Sequence, residues 1–213
     1  VHSLCPRRLR AALELTCRDL ERAPELVFLH NPERSLTGPS ASARDRLRNA
    51  CMTMYQAVTD GLCKTWGIAS WDPRPLAALV DGTLPRPAVV MVRAGLLVGI
   101  DTMDATSAVV TRWGLDDRTR LWGMSPFGGN MAQDLWRRVD PRLFIRDAHD
   151  GVTRAQAAFR AAYSLPEVRA VAVGTHNPVH MRELLSALEC EVNDVAVRRY
   201  RMLLRDRARR HPR

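Results

Sequence analysis

Lysine is nearly missing from this chain. Lys64 is the only one among 32 basic residues, so the formal charge of +9 rests on arginine. So lopsided a choice fits a coding bias better than an electrostatic design. Most of the arginines alternate with acids, as in Arg44-Asp45-Arg46 and Asp116-Asp117-Arg118, the pattern of solvated helix faces. A pI near 10.3 therefore does not by itself make a nucleic-acid binder, and no nucleic-acid partner is expected. Only residues 198–213 form a concentrated basic segment. It reads as a helix with a basic solvent face and a tail, the alternative being a polyanion-binding tail.

Long apolar runs are missing as well. The longest is a handful of residues around positions 88–92, far short of the ~20 needed to span a bilayer. Near the start, Arg7, Arg8 and Arg10 precede an apolar stretch at 11–15 that is too short for a signal peptide. The five cysteines (Cys5, Cys17, Cys51, Cys63, Cys190) are odd in number and contain no CxxC pair. That argues against a disulfide frame or a zinc site, and the expectation is reduced thiols in a cytoplasmic protein without a metal or a membrane partner. A GxGxxG after an apolar run is missing too, so the dinucleotide fingerprint of an open doubly wound sheet is absent.

What is present is an ordinary globular composition, 46% apolar and 26% charged over 213 residues. This suits one domain over 1–213, with 194–213 as a basic C-terminal helix and tail. Five short apolar runs recur at residues 25–30 (ELVFLH), 65–71 (TWGIASW), 88–92 (AVVMV), 120–125 (RLWGMS) and 169–174 (RAVAVG). Turn signals follow most of them: Asn31-Pro32, Asp72-Pro73, Pro126 with Gly128-Gly129, and Asn177-Pro178. Near-continuous hydrophobicity without alternation predicts strands covered on both faces, as in a parallel sheet.

Helical patterns fill the gaps. Residues 7–22 put Leu9, Leu13, Cys17 and Leu20 on one face, and 44–62 do the same with Leu47, Cys51, Met54 and Val58. Further helices fit 75–80, 103–113 and 133–139. Thr153-Arg154-Ala155-Gln156 is a capping box opening a helix over 157–163. Asn177-Pro178 opens another to about 188, and Asp194 a last one whose stripe is Val197, Tyr200, Leu203 and Leu204. Alternating strands and helices mean right-handed βαβ units. The open sheet and the closed barrel both remain; polar strand ends such as His30-Asn31, Ser70, Ser125 and Thr175-His176 tilt the reading toward a barrel.

Those strand ends carry a resemblance. LVFLHNPE (26–33), WGIASWD (66–72), AVVMVRAGLL (88–97), WGMSPFGG (122–129) and VAVGTHNPVHMRELLSAL (171–188) resemble, in order and spacing, strands four to eight of the aldo/keto reductases. The resemblance implies a partial (β/α)8 TIM barrel: an α/β fold of five parallel strand–helix units with an extra helix at each end. It implies NADPH as cofactor, with NADH as the alternative, and an aldehyde or ketone as substrate.

The same resemblance assigns residues. His30 stands where the family has a histidine that orients the substrate carbonyl; the plainer reading is a strand-end histidine bonded to a loop. Ala69-Ser70 stands where Ser-Asn usually holds the nicotinamide carboxamide, so Ser70 keeps a donor and Ala69 does not. Met91 replaces a glutamine there, and Met124 replaces the ring that stacks on the nicotinamide, followed by the matching Ser125. Gly174 and Thr175 begin the loop that meets the adenosine phosphate, at a helix N-terminus suited to an anion. His180 takes the place of a phosphate-binding arginine, Glu183 matches an acid near the adenine, and Arg182 is either a further charge or an exposed helix arginine.

The family places its catalytic Asp, Tyr and Lys on three earlier strand units. The expectation is that these N-terminal units are absent, leaving a truncated or degenerate oxidoreductase. Lys64 lies at the wrong end of its strand, and Tyr55, Tyr163 and Tyr200 fall mid-helix on apolar stripes. The alternative is a catalytically inactive barrel remnant that serves in binding, with self-association through open barrel edges. A nucleic-acid binder acting through 198–213 is a third reading.

Overall fold

The computed structural model describes residues 3–115, 120–132, 134–147 and 151–211. The Asp116-Asp117-Arg118 charge pattern, Gln133 and the last two residues of the basic tail lie outside the described residues. The helices are α1 (Pro6–Leu20), α2 (Ser40–Thr59), α3 (Arg74–Leu79), α4 (Ile100–Arg112), α5 (Leu135–Arg138), α6 (Arg154–Ala162), α7 (Pro178–Ser186) and α8 (Asp194–Arg210). They alternate with β1 (Leu26–His30), β2 (Thr65–Ser70), β3 (Val89–Arg93), β4 (Leu121–Met124) and β5 (Ala170–Ala172). The sheet follows chain order, β1-β2-β3-β4-β5, as the five apolar runs predict. Two compact units divide the chain: Val1–Val92 with Ala105–Leu121, and Arg93–Asp104 with Trp122–Arg213.

In the first unit, β1 and β2 pair in parallel from Leu26↔Thr65 to His30↔Ala69, and β2 and β3 from Gly67↔Val89 to Ser70↔Val92. Lying between two strands and covered on both faces, β2 is buried from Trp66 through Ser70, which is why its sequence does not alternate. Gly67 is required by packing: a Cβ there would stand 2.7 Å from the Val89 carbonyl oxygen and 2.8 Å from the Phe28 ring. On α2 the buried face is Ala43, Leu47, Ala50, Cys51, Met54 and Ala57 at helical spacing. Two expectations need correcting. Leu20 is 49% exposed; it is in phase with buried Leu13 but sits in the last turn, just before left-handed Glu21. Tyr55 is 55% exposed, since it lies about one residue's rotation off the Leu47–Cys51–Met54 stripe.

In the second unit, the Ala94 N–H donates to the Met124 carbonyl (3.0 Å), and β4 and β5 pair in parallel from Trp122↔Ala170 to Met124↔Ala172. Its core joins Leu96, Val98, Ile100 and Met103 to Trp136, Phe144, Ala158, Ala161 and Leu165, with Val197 of α8. The capping box forms as the sequence predicts: Thr153 Oγ1 accepts from the Gln156 N–H, and Gln156 Oε1 accepts from the Thr153 N–H. Asn177 caps α7 by accepting from the Val179 N–H. The N-cap of α8 is Asn193, not Asp194, because its side chain accepts from the Ala196 N–H. On α8, Val197 is buried and Tyr200 and Leu204 pack on the core, but Leu203 is 58% exposed. A rotation of ~100° from Leu204 carries it off the buried stripe.

Candidate functional site

The carboxyl end of β1 is shaped by a residue in an unusual conformation. Asn31 follows His30 in the left-handed region (φ 47°, ψ 55°), which Asn tolerates better than most residues. Its N–H donates to the Ala69 carbonyl (2.6 Å), so the turn continues the β1–β2 ladder by one bond. Pro32 then starts a 3-10 turn, Pro32–Ser35, that carries Glu33 back over the end of β2.

There Glu33 gathers three donors. Its Oε2 accepts from the Ser70 hydroxyl (3.0 Å), and its Oε1 accepts from the N–H groups of Trp71 (2.8 Å) and Asp72 (3.1 Å). The Asn31 side-chain oxygen also accepts from the Trp71 N–H (3.1 Å). Asp72 in turn takes the Arg74 guanidinium in a two-pronged ion pair (2.8 and 2.7 Å) at the start of α3. Hydrogen bonds to a carboxyl group are among the stronger ones in proteins, so these three fasten the β1 loop to the β2 loop.

The sequence-derived residues of this unit thus meet at one end of the sheet, in different circumstances. His30 ends β1 with an exposed side chain. Ser70 ends β2 fully buried, its hydroxyl directed to Glu33. Met91 is half-buried on β3, in register with Ala69. In the sequence Asn31 reads as a turn and polar strand-end residue, while Glu33 has no role beyond its place in LVFLHNPE. The available signal was the Asn-Pro turn with a carboxylate two residues on, which becomes meaningful only once β1 and β2 are neighbours.

The second unit presents its own strand ends. Met124 ends β4 half-buried, and Ser125 is left-handed (φ 55°), opening a turn in which its carbonyl accepts from the Gly128 N–H (3.0 Å). Beyond β5, Gly174 faces open space: nothing lies within 4 Å of where its Cβ would be. Thr175 Oγ1 accepts from the Asn177 N–H (3.1 Å), and Asn177 Oδ1 from the Val179 N–H (2.9 Å), so this loop is preset against the first turn of α7. His180 and Arg182 are exposed on α7, and Glu183 is half-buried. Since Ala172 is in register with Met124, the loops after β4 and β5 open at the same end.

The tyrosines and the lysine are committed elsewhere. The Tyr200 hydroxyl donates to the Leu96 carbonyl, and burial raises its pKa. Tyr163, at the C-cap of α6, packs edge-on to Phe159 with the Arg160 guanidinium over its ring. Lys64 precedes β2, at the end away from His30 and Ser70, and pairs with exposed Glu25 (2.7 Å). The five cysteines are free thiols. No group of metal-ligating side chains and no helix long and apolar enough to cross a membrane occurs among the described residues.

No protein-family model and no curated protein sequence matches the chain. Solved structures do. A thermostable aldo-keto reductase crystallised with the inhibitor epalrestat is similar at a TM-score of 0.68 and 19% identity, over 95% of this chain and 68% of its own. Aldose reductase from Giardia lamblia gives 0.63 at 16% identity, over 96% and 70%. Aldose reductase from Schistosoma japonicum gives 0.60 at 13% identity, over 94% and 65%. The chain thus spans about two thirds of these proteins. The likeness establishes the fold, an aldo/keto reductase-like partial (β/α)8 barrel.

Proposed function

We propose that the chain is part of an oxidoreductase of the aldo/keto reductase kind, acting on an aldehyde or ketone with NADPH or NADH. The observation that carries the reading is the run of five strand–helix units in the aldo/keto reductase order, with polar side chains at or past the carboxyl ends of β1, β2, β4 and β5, the end where such barrels assemble their sites.

The residues fit the two ends of such a cofactor unequally. At the adenosine end, Gly174 leaves open space, Thr175 and Asn177 fix the loop, and the first turn of α7 adds a positive dipole end with Arg182 near it in sequence. These suit a phosphate. At the nicotinamide end, Ser70 is fully buried with its hydroxyl on Glu33, and Ala69 offers no donor, so the grip on a carboxamide is weak. A bound nicotinamide dinucleotide supplies a hydride. Within the second unit, the chain's share is to hold a phosphate; within the first, the His30 imidazole stands where it can donate a hydrogen bond to a carbonyl oxygen as negative charge develops. A general acid, typically worth ~10²–10⁴-fold, would have to come from residues other than these tyrosines.

The Glu33–Ser70 bond and the occupied Tyr200 hydroxyl favour a second reading, a barrel that binds nucleotide or protein without catalysing reduction. Fluorescence titration of NADPH with the purified chain tests the first reading's cofactor, and Arg182→Glu should weaken any binding. Binding together with NADPH consumption on an aromatic aldehyde supports the oxidoreductase. Binding without turnover moves the assignment to the second reading, and no fluorescence change removes the cofactor from both.

A further inference from the structure

The basic segment at the carboxyl end belongs to none of the strand-end loops. Helix α8 carries seven arginines against Asp194 and Asp206. One face is committed to the fold: Val197, Tyr200, Leu204 and Ala208 pack on the core of the second unit, and the Arg201 guanidinium donates to the Ser164 carbonyl (2.7 Å). At ~100° per residue, the opposite face collects Val195, Arg198, Arg199, Met202, Arg209 and Arg210 within roughly a third of the circumference. All six are exposed, Val195 to 66% and Met202 to 62%, with Leu203 at the margin at 58%. Asp206 is the one acid among them. No ion pair among the described residues involves Arg198, Arg199, Arg209 or Arg210, whereas Arg205, at the flank, pairs with Asp104 (3.2 Å).

We infer that this face of α8 binds the surface of an anionic phospholipid bilayer, with the helix lying flat. The charge selects a polyanion, and the apolar side chains choose among polyanions. Four arginines match lipid phosphates, and Val195 and Met202, two turns apart between them, can enter the boundary between headgroups and acyl chains. A nucleic acid would use the arginines but not protruding aliphatic side chains, and it would favour aromatic rings for stacking. The only aromatic residue of α8, Tyr200, is on the inner face with its hydroxyl on Leu96. The contact surface, from residue 195 to 210, is roughly 22 Å long at ~1.5 Å per residue. Sequence pattern alone makes this a solvated basic face with no membrane partner; the exposure of Val195, Met202 and Leu203 is what changes the reading.

Vesicle flotation of the whole chain tests it, using phosphatidylcholine alone and phosphatidylcholine with roughly one third phosphatidylglycerol, at ~0.1 M and ~0.5 M salt. The expected result is binding to the anionic vesicles only, weakened by salt. Replacing Arg198, Arg199, Arg209 and Arg210 by Gln should cost two orders of magnitude or more, at roughly fivefold per arginine. The pair Val195→Ser and Met202→Ser should cost about tenfold without changing the salt dependence. Both variants alter exposed side chains and should keep the parent's circular dichroism melt; Arg7→Gln with Arg8→Gln, on α1, should leave binding unchanged. Three results would overturn the proposal: no anionic-vesicle binding, an equal loss from the α1 pair, or indifference to the serine pair with tight binding of a single-stranded RNA oligonucleotide. The last would make α8 a nucleic-acid surface.

Discussion

Replacing Glu33 by Ala is the most informative perturbation of the strand-end loops, because its cost can be assembled bond by bond. Three donors lose their acceptor: the Ser70 hydroxyl and the N–H groups of Trp71 and Asp72. Ser70 is fully buried, and a buried hydroxyl left unpaired costs about 1–3 kcal/mol. The Trp71 N–H keeps the Asn31 oxygen, so its loss is small. The Asp72 N–H is half-buried and can recover water, for about 0.5–1 kcal/mol. The sum is about 2–4 kcal/mol, which for a chain of this size lowers Tm by roughly 5–15 °C. Thermal unfolding by circular dichroism measures it, and amide hydrogen exchange locates it, with faster exchange expected at Trp71 and Asp72 and little change in α8. Ser70→Ala alone should cost less, since Glu33 retains the two backbone donors, and the double variant should cost less than the sum of the singles by about 1–2 kcal/mol. Additive single-variant effects, or a Glu33→Ala melt within a degree of the parent, would refute the assignment of Glu33 as the clamp between the β1 and β2 loops.

Gly95→Ala should be severe, because Gly95 has φ 133° and a Cβ there would sit 2.6 Å from the Pro126 carbonyl oxygen; a loss of about 3 kcal/mol or more in a urea melt is expected. Asp60 has its pKa lowered by hydrogen bonds from Gln56 and Arg10, so whatever stability it lends is present above its unfolded value near 3.8 and is lost as pH falls through the lower folded value. Carboxyl NMR titration should place the Asp60 midpoint below 3.8, and Gln56→Ala with Arg10→Ala should bring it back. Thiol alkylation at mildly alkaline pH should modify Cys5 first: it is exposed with a pKa lowered chiefly by the Arg8 backbone N–H, while burial pushes Cys51 up to about 12 and keeps it unreacted until unfolding. Peptide mapping by mass spectrometry gives the order.

The strand-end site was only partly legible in the chain. His30, Ser70, Ser125 and Thr175 could be picked out because each is a polar residue closing an apolar run, and the structure puts each at or just past the carboxyl end of a strand. What Ser70 does there could not be read, since its partner Glu33 is 37 positions away and arrives through a left-handed Asn31. The same limit explains Leu20, Tyr55 and Leu203. Helical phase tells which residues share a face, but not how far the covering surface extends.

The sequence by itself determined the alternation and kind of the elements. Unbroken apolar runs need two covered faces, Asn-Pro and Asp-Pro pairs end them, and caps such as Thr153 with Gln156 are local bonds between residues three apart. Tertiary structure alone decided which polar groups have spent their hydrogen bonds on the fold and which remain for a ligand. Ser70 is used by Glu33 and Tyr200 by Leu96, while Val195 and Met202 stay in water among arginines. These outcomes rest on partners tens of residues away or on a surface left uncovered, and neither is encoded in local spacing.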